Sequence, residues 1–242
     1  MINRYPLADL SQLARTLDTG AEASVVGNAL LSFVGGMDNQ AKEDVRNSYL
    51  FASLAATHRF PNNKDGEAWY NLFCTIMQEM GWLFVTRSYR QSTNSDTTFS
   101  MDKVAIDILQ ASLANAVLPG ATALNVLKTA TASVTALKTD EATSKFFDQQ
   151  VRQSDGGNFA VGSTTYNEGG DIIMALGTVT FNTHVNVTSV LFTHLNMADI
   201  KTHHGNATLI LNQSVYSSAR AQVAEELGSR ALKSVKKYSL GN

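Results

Sequence analysis

Histidines, cysteine and carboxylates are where catalysis or metal binding would start in this chain. The histidines are His58, His184, His194, His203 and His204. None stands in an H-x-x-x-H or H-E-x-x-H spacing, which would set two imidazoles on one helix face around a metal. His203-His204 reads as part of a turn leading into Gly205-Asn206, and on a strand the two rings would point to opposite faces. Cys74 is the single cysteine, so the chain forms no internal disulfide. Its setting, Leu72-Phe73-Cys74-Thr75-Ile76, reads as a small buried hydrophobe. There is no G-x-S-x-G elbow, no glycine-rich phosphate loop and no paired carboxylate at a strand end. The expectation is therefore a protein that is not an enzyme, with no catalytic, cofactor-binding or metal-binding residue and no cofactor.

What remains is a sheet. Between Ile172 and Ala198 there is no Asp, Glu, Lys or Arg. Ile173, Ala175, Gly177, Val179, Phe181, Thr183, Val185, Val187, Ser189, Leu191, Thr193 and Leu195 share one phase of a two-residue period, while Thr178, Thr180, Asn182, His184, Asn186, Thr188 and His194 share the other. Successive strand side chains point to opposite faces, so the run reads as β-structure with an apolar and a polar side. Such a strand can be half of a core or the wall of a barrel with lipid outside and water inside. Strands over 171–183 and 185–196 have the roughly 9–11 residues that a tilted strand needs to cross a bilayer.

The totals narrow the class. At 242 residues, 44% hydrophobic and 17% charged, the chain can build a sizeable core. A net charge of −2 gives no overall pull toward nucleic acid. The N-terminus, Met1-Ile2-Asn3-Arg4-Tyr5-Pro6, lacks the apolar stretch of a secretory signal, and no run reaches the length of a membrane-spanning helix. The expectation is a protein made soluble in the cytoplasm and released by a route other than general secretion. Three Asn-x-Ser/Thr triplets, at Asn186, Asn206 and Asn212, read as Asn- and Thr-rich strand rather than glycosylation sites.

The elements expected in order form one domain over 1–242. Residues 1–37 read as a helical extension in which Val25, Val26, Ala29, Leu30 and Phe33 share a face and Gly35-Gly36 ends the last turn. Residues 38–154 read as mainly helical, with Asp38 and Asp102 as caps and a β-hairpin over 82–101. Within them, Pro119-Gly120 joins helices over 103–117 and 121–137 into a helical hairpin, and Thr139 opens a shorter helix. Long antiparallel strands fill 158–213, drawn at 158–166, 171–183, 185–196 and 206–213. A terminal helix over 217–238, interrupted at Gly228, ends in Lys233, Lys236 and Lys237.

That order resembles the Cyt family of bacterial insecticidal cytolysins, whose fold the fungal cytolysin volvatoxin shares. Local texture is similar in Tyr49-Leu50-Phe51-Ala52-Ser53-Leu54-Ala55, in Phe99-Ser100-Met101-Asp102-Lys103-Val104 and in Gly169-Gly170 ahead of a long strand. The resemblance covers about 40–240. It implies an α+β fold, a single domain with an antiparallel sheet sandwiched between helical layers. It also implies helices that swing away and strands that engage the lipid membrane of a target cell, with homo-oligomers forming there. Carried onto this sequence, the lipid-engaging residues are Ile173, Val179, Phe181, Val185, Val187, Leu191, Leu195, Leu209 and Leu211, and 103–137 is the cover. The family's exchanged N-terminal strand has no counterpart in the helical reading of Met1–Gly36. The alternative is a non-lytic structural or interaction protein with the same fold.

Overall fold

The computed structural model describes residues 14–17, 22–91, 98–114, 118–153, 156–183, 189–192, 194–196 and 200–237. The chain opens with short strands, β1 (Ala14–Leu17), β2 (Glu22–Val26) and β3 (Ala29–Phe33), followed by helices α1 (Asn39–Arg59) and α2 (Gly66–Glu79). Strands β4 (Trp82–Gln91) and β5 (Thr98–Ser100) lead into α3 (Met101–Ala114), α4 (Gly120–Thr139) and α5 (Glu141–Val151). Then come β6 (Arg152–Gln153), β7 (Gly156–Tyr166), β8 (Ile172–Thr183), β9 (His194–Asn196), β10 (Ile200–Leu211) and α6 (Gln213–Lys237).

The main sheet runs β1-β2-β3-β7-β8-β10-β4, with β6 pairing beside β7. It is antiparallel except for one parallel pair, β3 with β7, so the expected purely antiparallel sheet is in fact mixed. Two helical layers close its faces, which gives the α+β sandwich expected. Strand periodicity divides the core between them. Val179, Phe181, Phe159 and Val161 face α3, α4 and α5, whereas Ile172, Met174, Leu176, Leu209 and Leu211 face α1, α2 and α6.

Several expectations are corrected. The segment expected as an N-terminal helix is, over its described residues, the β2–β3 hairpin and β1. Its turn is the pair Gly27-Asn28, with Gly27 at φ 55°, a conformation that glycine adopts without steric cost. A buried apolar run cannot be told from a helix by spacing alone. Here Leu30 packs into one face of the sandwich and Leu31 into the other, which only a strand permits. The hairpin expected over 82–101 does not form: β4 pairs with β10, and β5 pairs with β9 in a separate small sheet.

The strand expected over 185–196 is absent from the main sheet among the described residues. Val190–Phe192 is a turn whose backbone is bound elsewhere. The Val190 N–H donates to Asp148 Oδ1 at 2.9 Å, and the Leu191 carbonyl accepts from the Asp102 N–H at 3.0 Å. The last strand starts at Ile200 instead of 206, which moves His203-His204 from a turn into β10. Gly205 is needed there, since a Cβ would come within 2.6 Å of the Tyr70 ring and of Thr178 Oγ1. Asp140, rather than Thr139, caps α5, accepting from the Thr143 N–H at 3.0 Å. Helix α6 runs through Gly228 without a break.

Other readings hold. Asp38 caps α1 by accepting from the Ala41 N–H at 2.8 Å. Asn167–Asp171 forms the β7–β8 turn, with Gly170 at φ 84°.

Candidate functional site

The centre of the sheet is three long strands of 11, 12 and 12 residues, β7, β8 and β10. Strands β7 and β8 contain no Asp, Glu, Lys, Arg or His. Nothing ionic therefore ties their side chains to the helices above and below; what holds each layer is contact and the few polar groups at its edges.

The layers differ in that respect. On the α1 side, Glu22 of β2 accepts from both Lys42 and Arg46 (3.0 Å) of α1. Arg220 of α6 forks onto the buried Asp44 of α1 at 2.6 and 2.8 Å. Tyr166 donates to Asp38, Tyr70 Oη to the Asn206 carbonyl at 3.0 Å, and Trp82 Nε1 to Ser48 Oγ at 3.0 Å. These join α1, α2 and α6 to one another and to the sheet beneath large rings, Trp69, Tyr70, Phe73, Trp82 and Tyr216. The charge on Glu22 is favoured by its Lys42 and Arg46 partners, which hold its carboxyl below the usual range.

On the α3 side the ion pair of Lys145 with Glu141 lies within α5, and Arg152 of β6 bears electrostatically on Asp148 of α5. Ser112 of α3 and Thr208 of β10 share hydrogen bonds at 3.0 and 3.2 Å, and Asp148 of α5 holds the Val190 turn. Burial raises the Asp148 carboxyl above its ordinary range, against the Val190 N–H that lowers it. Half of α4's residues are Ala or Thr, and its buried side is Val126, Ala130, Ser133, Val134 and Leu137. Only three of those are large, each worth about 1.5–3 kcal/mol on burial, so α4 is the weaker cover. Helix α3 sits low on the sheet: a Cβ on Gly177 would meet Ile108 Cγ2 at 3.1 Å and the Ala105 carbonyl at 3.3 Å.

The nine residues expected to engage lipid do not form one surface. Ile173, Val179 and Phe181 lie on the α3 side of β8, buried to 4%, 0% and 2% exposure. Leu191 joins that side from the turn after β8. Leu209 and Leu211 are on the opposite face, under α1, α2 and α6, because β10 is in register with β8 at Leu209↔Met174 and Leu211↔Ile172. Leu195 sits in β9 opposite Phe99, off the main sheet, and Val185 and Val187 fall outside the described residues. The polar phase of β8 also lies on the α1 side, where Thr178 and Thr180 are buried beneath Gly66 and Tyr70, so the α3–α5 cover sits over the apolar phase. Two features carry little trace in the sequence, the Asp44–Arg220 fork and the close approach at Gly177. A lone glycine inside a strand pattern is the one signal that points to the latter.

Groups with chemical potential are scattered. His203 stacks on Tyr89 with ring centroids 6.0 Å apart, whereas Nε2 of His204, on the other face, accepts from Arg90 Nε at 3.0 Å. Among the described residues no cluster of three or more His, Cys, Asp or Glu could hold a metal ion. Cys74 is fully buried, and burial pushes its thiol up to about 11. Among the described residues no helix is long and apolar enough to cross a membrane.

No protein-family model matches the chain, and no curated protein matches its sequence. Solved structures are similar to it at low identity. One is a delta-endotoxin, 12% identical with a TM-score of 0.46 over 77% of this chain and 84% of that one. Another is the activated Cyt2Ba monomer from Bacillus thuringiensis subsp. israelensis, 10% identical with a TM-score of 0.41 over 75% of this chain and 96% of that one. A third is the Evf virulence factor, 11% identical with a TM-score of 0.35 over 84% of this chain and 82% of that one.

Proposed function

We propose that this chain is a membrane-acting, cytolysin-like protein that works without an enzymatic site. Its α3–α5 layer lifts away, and the apolar face of β7 and β8 then meets the lipid of a target cell. The observation that carries the reading is the pairing of two uncharged strands of 11 and 12 residues with a cover whose helix α4 buries only Val126, Val134 and Leu137 as large side chains. Strands of that length span a bilayer when tilted. The lipid-facing set is then Ile173, Val179 and Phe181, with Leu191 exposed as the turn opens, rather than all nine residues first expected. On the membrane several copies assemble, because a strand in lipid must satisfy its backbone in a closed sheet. Nucleic acid is not a partner in this reading, since a net charge of −2 gives no overall pull toward it.

Dye release from phosphatidylcholine vesicles, with and without prior protease treatment, tests this. Leakage that rises with protein concentration is the expected result; no leakage and no co-sedimentation with vesicles in any condition would overturn it. A second reading, a non-lytic interaction protein with a rigid sheet, draws on the paired Ser112–Thr208 hydrogen bonds that tie α3 to β10. A disulfide joining α4 to β7 separates the two. It blocks a lytic protein until reduced and leaves a rigid one unaffected.

A further inference from the structure

Helix α6 changes character along its length. Its first half is seated: Tyr216, Val223 and Leu227 are buried, and Arg220 is forked onto Asp44. Just beyond Leu227, Gly228 is exposed and Ser229 and Arg230 are half-buried. The last eight residues, 230–237, hold Arg230, Lys233, Lys236 and Lys237 and no acidic residue. The partial negative charge at a helix C-terminus, about half an elementary charge, offsets only a small part of those four cations. Glu226 stands four residues before Arg230, the favourable order for a helical ion pair. Its Oε1 instead accepts from Gln222 Nε2 at 3.3 Å, and Arg230 makes no ion pair among the described residues. A concentrated positive charge thus ends a helix in a chain whose net charge is −2.

We infer that the C-terminal end of α6 is a docking site for anionic phospholipid headgroups, which holds the protein at a negatively charged membrane surface before the sheet meets lipid. The inference rests on the lipid-directed reading above and names the surface that reading left open. A short basic cluster gains about 1 kcal/mol per Lys or Arg from an anionic leaflet, roughly fivefold in partitioning for each. A polyanion such as duplex nucleic acid fits less well. Eight helical residues span only about 12 Å, the segment has no aromatic residue for base stacking, and the net-negative remainder of the chain repels a long phosphate backbone.

The test is flotation of the full chain with two kinds of vesicle, phosphatidylcholine alone and 7:3 phosphatidylcholine:phosphatidylserine, at low and at high salt, with dye release read in parallel. Wild type is expected to partition at least tenfold better onto the serine-containing vesicles at low salt and to lose that preference at high salt, where screening shortens the reach of surface charge. The variant Lys233→Gln/Lys236→Gln/Lys237→Gln is expected to bind the anionic vesicles about a hundredfold more weakly, the product of three such factors. Lys233→Arg/Lys236→Arg/Lys237→Arg keeps the binding, which separates charge from folding. Equal partitioning onto both vesicles, or full binding by the glutamine variant, overturns the inference. If wild type then still leaks dye from phosphatidylcholine, the lytic reading stands without it, whereas failure to bind or leak either vesicle removes both. Capture by duplex DNA with no vesicle binding would replace the lipid partner.

Discussion

Gly177→Ala is the substitution that tests whether the α3 layer is the one that must move. The added methyl would stand 3.1 Å from Ile108 Cγ2 and 3.3 Å from the Ala105 carbonyl, so α3 has to give by a few tenths of an ångström. Overpacking a tight contact costs about 1–3 kcal/mol, whereas replacing glycine by alanine in the unfolded chain returns about 0.4–1 kcal/mol. The net is a loss of roughly 1–2 kcal/mol, which for a chain of this size lowers the melting temperature by about 2–8 °C. The control is Gly162→Ala on the opposite face, where the methyl meets Leu31 Cδ2 at 2.8 Å, the far end of a side chain that can turn aside. Urea titrations calibrate the two variants, and dye release from phosphatidylcholine vesicles is then compared with the difference in stability taken into account. If release begins with the α3 layer, Gly177→Ala releases dye several-fold faster than wild type and Gly162→Ala does not. Equal acceleration by both variants, or none by Gly177→Ala despite a lower melting temperature, refutes the reasoning.

Further predictions concern the opposite layer and the thiol. Arg220→Ala strands the Asp44 carboxylate, which is 3% exposed, and should cost about 3 kcal/mol in urea unfolding. Arg220→Met/Asp44→Asn should recover most of it, because neither partner is then left charged. Two carboxyls contribute to the pH dependence with opposite signs. Glu22 is held below its ordinary value of 4.5, so its stabilising ion pairs are present above that value and lost as the pH falls through its folded pKa. Asp148 is raised above 3.8, so it is easier to protonate folded than unfolded and favours the folded state as the solution turns acid. From pH 6 to pH 3 the melting temperature should therefore change less favourably in wild type than in Glu22→Gln, which lacks the Glu22 contribution, and more favourably than in Asp148→Asn. Cys74 should resist a thiol reagent at pH 8 in the native protein and react fully in denaturant, read by mass spectrometry.

Much of this architecture can be read from residue order, since local signals agree with it. The Asp38 cap, the Trp69-Phe73-Met77 stripe and the Asn167–Asp171 turn need nothing beyond their neighbours to form. The larger failures share a cause: each concerns a backbone whose hydrogen-bond partner lies far along the chain. Glu22–Phe33 carries a spacing that a helix could use, and it becomes a hairpin because β7 offers it a parallel partner. Trp82–Gln91 does not fold back on 98–100 because β10 supplies a longer ladder. The alternation through Val190–Phe192 is a strand pattern spent on a turn, its amide and carbonyl taken by Asp148 and by Asp102 at the start of α3. The candidate site was legible as a set of apolar residues and not as a surface. One residue of register decides which face a side chain takes, and the register of β10 against β8 is set across the sheet.

The parallel pairing of β3 with β7 also sets a clock on synthesis. Asn28, in the hairpin turn, donates from its side chain to the Asn158 carbonyl, 130 residues further along. At 5–20 residues per second a ribosome needs roughly 6–26 s to cover that distance. Through that interval Ala29–Phe33, Ala-Leu-Leu-Ser-Phe, lacks the β7 partner that it has in the folded chain. The sheet cannot be completed from its N-terminal side as the chain emerges; it closes only when β7 arrives. Until then an apolar segment of five residues waits for a partner that has not yet been made.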